Sequence, residues 1–176
     1  NTEPRSKAAL EVIVKRSRSL GEFVNRYASL YRNFDVSPRR INCEQFIKQL
    51  ASLFEVESIA ISCEVDSMIV DPVLLEQVMI NLIKNAIEAS INTKAKIRIH
   101  FTKQAKQIHI SVIDNGRGIA NSDNLFVPFY TTKENGNGIG LSLCRNIIEQ
   151  HGGSLTLTNN DNTDGARATI ILPKNE

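Results

Sequence analysis

Two asparagines four residues apart, an aspartate closing an apolar run and two glycine-rich stretches succeed one another in this 176-residue chain. The asparagines lie in Asn81-Leu82-Ile83-Lys84-Asn85-Ala86-Ile87-Glu88-Ala89. The aspartate opens Asp114-Asn115-Gly116-Arg117-Gly118-Ile119, and the last run is Gly136-Asn137-Gly138-Ile139-Gly140-Leu141. Amide oxygens suit Mg²⁺, which keeps several waters and needs only one or two protein oxygens beside phosphates. A carboxylate can accept from the exocyclic amine of a purine. Glycines leave bare main chain for phosphate. In this order, the three chemistries describe an ATP·Mg²⁺ pocket.

Each motif has a plainer reading when taken alone. Asn81 and Asn85 share one helical face, while Leu75, Val78, Leu82 and Ala86 follow the opposite, core-facing stripe. A mid-helix asparagine is ordinary at a surface. The glycine motifs downstream turn the reading towards a metal ligand, for Asn85 above Asn81. Asp114-Asn115-Gly116 is equally a tight turn, although Gly116 and Gly118 also remove Cβ atoms that would block a base. Gly138 and Gly140 open a helix whose N-terminus favours negative charge; the plainer reading is a flexible loop feeding that helix. Residues 119–135 then form a lid, anchored by Leu125-Phe126-Val127-Pro128-Phe129-Tyr130, from which Lys133 reaches a phosphate as a point charge.

The elements that must position these residues follow from periodicity. Residues 7–33 read as one long helix with apolar positions Leu10, Ile13, Leu20, Val24, Tyr27 and Tyr31, ended by Asp35-Val36-Ser37-Pro38. Its stripe packs on its own domain or in an inter-subunit bundle, and the bundle is the preferred reading. The expected boundary separates 1–36 from 37–176. Helices are expected at 44–54, 72–91 and 138–150, with Asp71 as a cap and Pro72 in a first turn. Strands are expected at 58–63, 67–70, 96–102, 107–114, 153–158 and 166–172. The Lys103-Gln104-Ala105-Lys106 link makes a hairpin. The expected fold is a two-layer α/β sandwich: a mixed sheet with about three helices on one face, preceded by the long N-terminal helix.

Bulk properties exclude several classes. No apolar run is long enough to span a bilayer. Cys43, Cys63 and Cys144 are odd in number and lack metal spacing, as in a reduced, cytoplasmic protein. Residues 1–40 hold nine Lys/Arg against four Asp/Glu, which suits a solvated helix face or an acidic partner; nothing marks nucleic acid. His100 and His109 face each other across the hairpin if its link is a four-residue loop, but no third metal ligand is visible. His151 lies at a helix end, where a cation suits the dipole.

On these residues the chain resembles the catalytic ATP-binding domain of sensor histidine kinases. That family lies within the gyrase, Hsp90, histidine kinase and MutL superfamily. The likeness covers about 38–173, and Pro128-Phe129-Tyr130-Thr131-Thr132-Lys133 is similar to the nitrogen-regulation branch. The resemblance implies that Asn85 holds Mg²⁺ beside Asn81, and that Asp114 binds adenine. Gly116, Gly118 and Ile119 then shape the pocket, and Gly136, Gly138, Ile139, Gly140 and Leu141 form the phosphate-side hinge. Phe126, Thr132 and Lys133 join from the lid, with Asn85 and Lys133 as the catalytic pair. Thr169, one position from Ala168, resembles the last motif near adenine, and 7–33 resembles the second helix of the dimerisation and phosphotransfer hairpin.

The resemblance also implies a departure. The family's phosphoacceptor histidine stands on a preceding helix beside an acidic residue, and His100, His109 and His151 lack that context. The chain is therefore expected to be a fragment that binds ATP and passes its γ-phosphoryl to that absent histidine, for relay to a response-regulator aspartate. Its expected partners are its own dimerisation and phosphotransfer domain, a receiver domain and a second copy in a full-length homodimer. Superfamily ATPases carry a water-activating glutamate where this chain has Asn81, and Glu88 reads as a surface residue rather than a base. The alternatives are an autonomous ATPase and a non-catalytic nucleotide-binding dimerisation module.

Overall fold

The computed structural model describes residues 10–18, 21, 24, 28, 35–54, 59–90, 95–133, 136–161 and 163–174. The chain divides into two units, Asn1–Asn33 and Phe34–Glu176. In the first, residues 10–18 form helix α1, and 21, 24 and 28 are also helical. Leu10 and Ile13 of the expected stripe are 60% and 61% exposed; Leu20, Tyr27 and Tyr31 lie outside the described residues. Among the described residues no helix is long and apolar enough to cross a membrane.

The second unit runs β1 (Arg39–Asn42), α2 (Cys43–Ser52), β2 (Ile59–Cys63), β3 (Ser67–Val70), α3 (Pro72–Ala89), β4 (Ile97–Gln104), β5 (Gln107–Ile113), α4 (Gly140–Gln150), β6 (Ser154–Asn159) and β7 (Ala166–Pro173). Five strands form one sheet in the order β2-β4-β5-β7-β6. β2 pairs parallel to β4 and the other neighbours pair antiparallel, so the sheet is mixed. Alternation sets its two faces. Ile97, Ile99, Ile110, Val112, Ala168 and Ile170 point into the core with the buried sides of α2, α3 and α4. The opposite face carries His100, Thr102, His109, Ser111 and Thr169, none of them fully buried. This is the two-layer sandwich that the periodicity predicts.

The sequence reading differs from the structure in two places. β1 was not foreseen; it pairs with β3 in a separate two-stranded sheet, Ile41 opposite Met68. Arg39-Arg40-Ile41-Asn42 carries one apolar residue, too little alternation to mark a strand. The β4–β5 link is a two-residue turn, Ala105-Lys106, since Gln104 pairs with Gln107 and Ala105 takes φ 50°. That register puts His100 opposite Ser111 and Thr102 opposite His109, so the two histidines are diagonal neighbours rather than facing partners. His100 Nδ1 meets Ser62 Oγ at 2.7 Å instead. Among the described residues no cluster of His, Cys, Asp and Glu could hold a metal. His151 links two elements: Nε2 accepts the Asp71 backbone N–H at 3.0 Å, and Nδ1 lies 2.8 Å from Ile147 O. It thereby bridges the end of α4 and the start of α3.

Helix α3 is anchored at its N-terminus by Asp71, as expected. The carboxylate accepts from the Val73 and Leu74 N–H groups at 3.0 and 3.2 Å and from Ser37 N–H at 3.1 Å. Burial alone would raise its pKa; the Ser37, Leu74 and Val73 donors outweigh that and hold it below the usual carboxylate value. A lowered folded pKa gives stability that is present above the unfolded pKa and is lost as the pH falls through the folded one. Asp71→Ala should therefore cost about 1 kcal/mol, the usual loss for an N-cap carboxylate. In urea unfolding followed by circular dichroism, the gap between variant and parent should be full at pH 7 and close as the pH falls below about 4; a gap independent of pH would contradict the cap.

Candidate nucleotide site

The site is built on one face of α3. Asn81, Asn85 and Ala89 are spaced four apart, so they form a single stripe. Asn81 Nδ2 donates to Gly140 O at 2.9 Å and lies 3.4 Å from Cys144 Sγ, which fixes the start of α4 against α3. Burial pushes the Cys144 thiol up to about 12, so it stays a neutral packing group. Asn85 Oδ1 accepts from Lys133 Nζ at 2.7 Å, and the same ammonium pairs with Glu88. Ala89 O accepts the Arg117 N–H at 3.3 Å. Three separate segments thus close on one helix.

The Asp114 loop follows β5. Asp114 is buried, and its Oδ1 accepts from the Gly116 N–H at 2.8 Å and the Ala166 N–H at 3.1 Å. Among the described residues no hydrogen bond reaches its Oδ2. A buried carboxylate with one oxygen held by main chain and the other open can accept from an incoming donor. Gly116 has no room for a side chain, because a Cβ there would stand 2.6 Å from Ala89 O. Beyond it, Ile119 is pinned at both main-chain atoms by Asn159, whose Oδ1 accepts the Ile119 N–H at 2.6 Å and whose Nδ2 donates to Ile119 O at 3.0 Å. Gly118 lies beside the same Asn159 side chain. Asn160 Nδ2 adds a 2.9 Å bond to Asp114 O.

The glycine run closes the other end. Gly136 N–H donates to Lys133 O at 3.1 Å, and Gly138 O accepts the Phe129 N–H at 2.8 Å. Gly138 takes φ 64° and Phe129 takes φ 67°. The glycine adopts that region without cost, whereas the phenylalanine is strained. Helix α4 begins at Gly140 with Ile139 as its N-cap and no side-chain capping bond. Its first-turn N–H groups are therefore left for solvent or an anion. Phe126 lies under Arg145 of α4, whose Cζ is 3.7 Å from the ring centroid, and Leu141 packs on the core.

Most of the expected site residues converge on α3 and α4. Thr132 is exposed beside Lys133. Thr169 is not brought to the group: on β7 it pairs with Ser111 and Thr156 on the open side of the sheet, whereas Ala168 faces the helices. The sequence reading missed Asn159, Asn160, Arg145 and the pairing of Glu88 with Lys133. Only Asn159-Asn160, at a strand end before a polar turn, carried any local signal.

Comparison with known proteins bears on the family. The model described as histidine kinase-, DNA gyrase B-, and HSP90-like ATPase matches residues 70–176. The sensor histidine kinase ZraS of Escherichia coli O157:H7 is 41% identical over 107 residues, 60% of this chain and 23% of ZraS. The signal transduction histidine-protein kinase AtoS of Escherichia coli (strain K12) is 29% identical over 185 residues, 99% of this chain and 30% of AtoS. The chain thus spans less than a third of the length of these relatives. Among solved structures, the catalytic domain of histidine kinase ThkA superimposes with a TM-score of 0.70 at 31% identity, covering 78% of this chain and 96% of that one. ThkA in complex with response regulator protein TrrA aligns with a TM-score of 0.73 at 27% identity, covering 93% and 50%. With the α3 stripe, the buried aspartate and the glycine run in place on this fold, the chain belongs to the histidine kinase-, DNA gyrase B- and HSP90-like ATPase family.

Proposed function

We propose that this chain is the ATP·Mg²⁺-binding catalytic portion of a two-component sensor histidine kinase. In the whole protein the γ-phosphoryl of ATP passes to a histidine on a dimerisation helix and ADP leaves; a response-regulator aspartate then takes the phosphoryl group. The observation that carries the reading is the buried Asp114 carboxylate with one oxygen tied to main chain and the other open. In this reading Asp114 accepts from the adenine amine, with Gly116 and Gly118 shaping the base pocket. The uncapped start of α4, with Gly138 and Gly140, receives the phosphates. Asn85, with Asn81 one turn away, offers a hard oxygen to Mg²⁺. That oxygen already draws a cation, the Lys133 ammonium, which supports the fit. Mg²⁺ held there by Asn85 would supply charge neutralisation to the phosphates.

Asn81 supports transfer over hydrolysis. Its amide is held on Gly140 O and has no basic form with which to activate water, so the site positions ATP without a carboxylate base at that turn. The likeness to ThkA, which has been seen with its response regulator, supports the receiver partner. The exposed apolar residues Leu10, Ile13 and Val14 of α1 support a helical pairing with a second copy. A cytoplasmic location follows from ATP as the phosphoryl donor.

Calorimetry should show ATP binding that tightens with Mg²⁺. Asp114→Ala should weaken it by about tenfold to a hundredfold, the loss of a buried charge-assisted hydrogen bond. Asn85→Ala should leave ATP affinity the same with and without Mg²⁺. Binding untouched by both variants would place the nucleotide elsewhere.

Mixing this chain and [γ-³²P]ATP with a separate four-helix domain that bears a histidine beside an acidic residue should label that domain, and Asn85→Ala should abolish the label. Steady release of free phosphate without a labelled partner would make the chain an autonomous ATPase instead.

A further inference from the structure

Lys133 stands on the very oxygen that the proposed function gives to the metal. Its Nζ donates to Asn85 Oδ1 at 2.7 Å and pairs with the Glu88 carboxylate. Asn85 and Glu88 are three apart on α3, hence surface neighbours, and a carboxamide oxygen and a carboxylate oxygen converge on one positive charge. Lys133 is also tied locally: its N–H donates to Thr131 Oγ1 at 3.1 Å, and its carbonyl accepts from Gly136 N–H. These bonds hold the Lys133 main chain, and Asn85 and Glu88 hold its ammonium.

An ammonium and Mg²⁺ cannot share that oxygen. The oxygen has two lone pairs, but two cations held in contact with one atom, a few ångströms from each other, repel strongly enough that one displaces the other. We infer that Lys133 is a resident surrogate cation: it holds the Asn85 oxygen until ATP·Mg²⁺ arrives and must leave for the metal to bind. Glu88 is the positioning residue that keeps the ammonium there. Lys133, once displaced, is beside the triphosphate and neutralises it, so one charge serves first the metal's oxygen and then the phosphates. The inference rests on the assignment of Asn85 to Mg²⁺, and it gives Glu88, a partly exposed acid at 48% side-chain exposure, a task beyond surface solvation.

The exchange has a signature in binding that needs no turnover. The quantity to measure is the ratio of the ATP dissociation constant in EDTA to that in saturating Mg²⁺, by calorimetry. Removing the competitor lowers the cost of loading only when metal is present, so Lys133→Met should raise this ratio by roughly threefold to tenfold, the worth of one partly exposed charge-assisted hydrogen bond. A phosphate contact alone would weaken binding in both conditions, and more in EDTA, where no metal shares the phosphate charge; the Mg²⁺ arm therefore decides, and there Lys133→Met should leave the ATP dissociation constant unchanged or lower it, a raised one overturning the inference. An unchanged or lowered ratio overturns the inference. Glu88→Gln is then compared in the parent and in Lys133→Met. If Glu88 acts through the lysine, its effect on the ratio should differ between the two backgrounds by about twofold or more; equal effects overturn its positioning role. Should the parent protein bind no ATP in either condition, the nucleotide-site reading itself fails, a result distinct from failed exchange.

Discussion

One face of α3 governs this molecule. Asn81, Asn85 and Ala89 lie along about 12 Å of helix. Each grips a different segment: the start of α4 through Gly140 O, the Lys133 region, and the Asp114 loop through the Arg117 N–H. Beside that stripe the same helix is buried through Leu75, Val78, Leu82 and Ala86. Successive residues turn by about 100°, so the helix cannot rotate by one position without driving an amide into the core. The hydrophobic register that holds the domain together is therefore also the register that aims the site. Asp71 and the His151 bridge set where that register begins.

This explains what could and could not be read from the sequence. The α3 face was legible because 3.6-residue periodicity separates Asn81 and Asn85 from the apolar stripe. The β4 and β5 strands were legible from the alternation of Ile97, Ile99 and Phe101 and of Ile108, Ile110 and Val112. Asp114 was legible because it ends an apolar strand and is followed by glycine. β1 was not, since one isoleucine among four residues makes no pattern, and its pairing with β3 is a long-range event. Thr169 stands on the open side of the sheet and Ala168 on the helix side, because successive strand residues alternate, and a loose motif match does not tell such neighbours apart. Pairs such as Glu88 with Lys133 and Arg145 with Phe126 join residues distant in sequence, and local periodicity carries no information about them.

The charge pattern also has a logic. Asp114 is buried, and one of its oxygens is held by two main-chain donors, so among the described residues its carboxylate is oriented without a side-chain partner. Lys133 and Glu88 are partly exposed, so their mutual attraction is screened and easily exchanged for other partners. A fixed carboxylate in the loop after β5 and an exchangeable pair on the last turns of α3 divide the site into a recognising part and a responsive part. The neutral Asn81 amide, seated between Gly140 O and the Cys144 thiol, adds no charge to either.

Phe129 bears on how the responsive part moves. A bulky residue held at φ 67° carries roughly 1–3 kcal/mol of conformational energy, and its N–H bond to Gly138 O helps keep it there. Rupture of that bond would let the backbone relax into a favoured basin, offsetting much of what the lost bond contributed. A change of backbone shape at Phe129 would therefore start with part of its cost already met, and contacts from an arriving molecule would need to supply only the remainder.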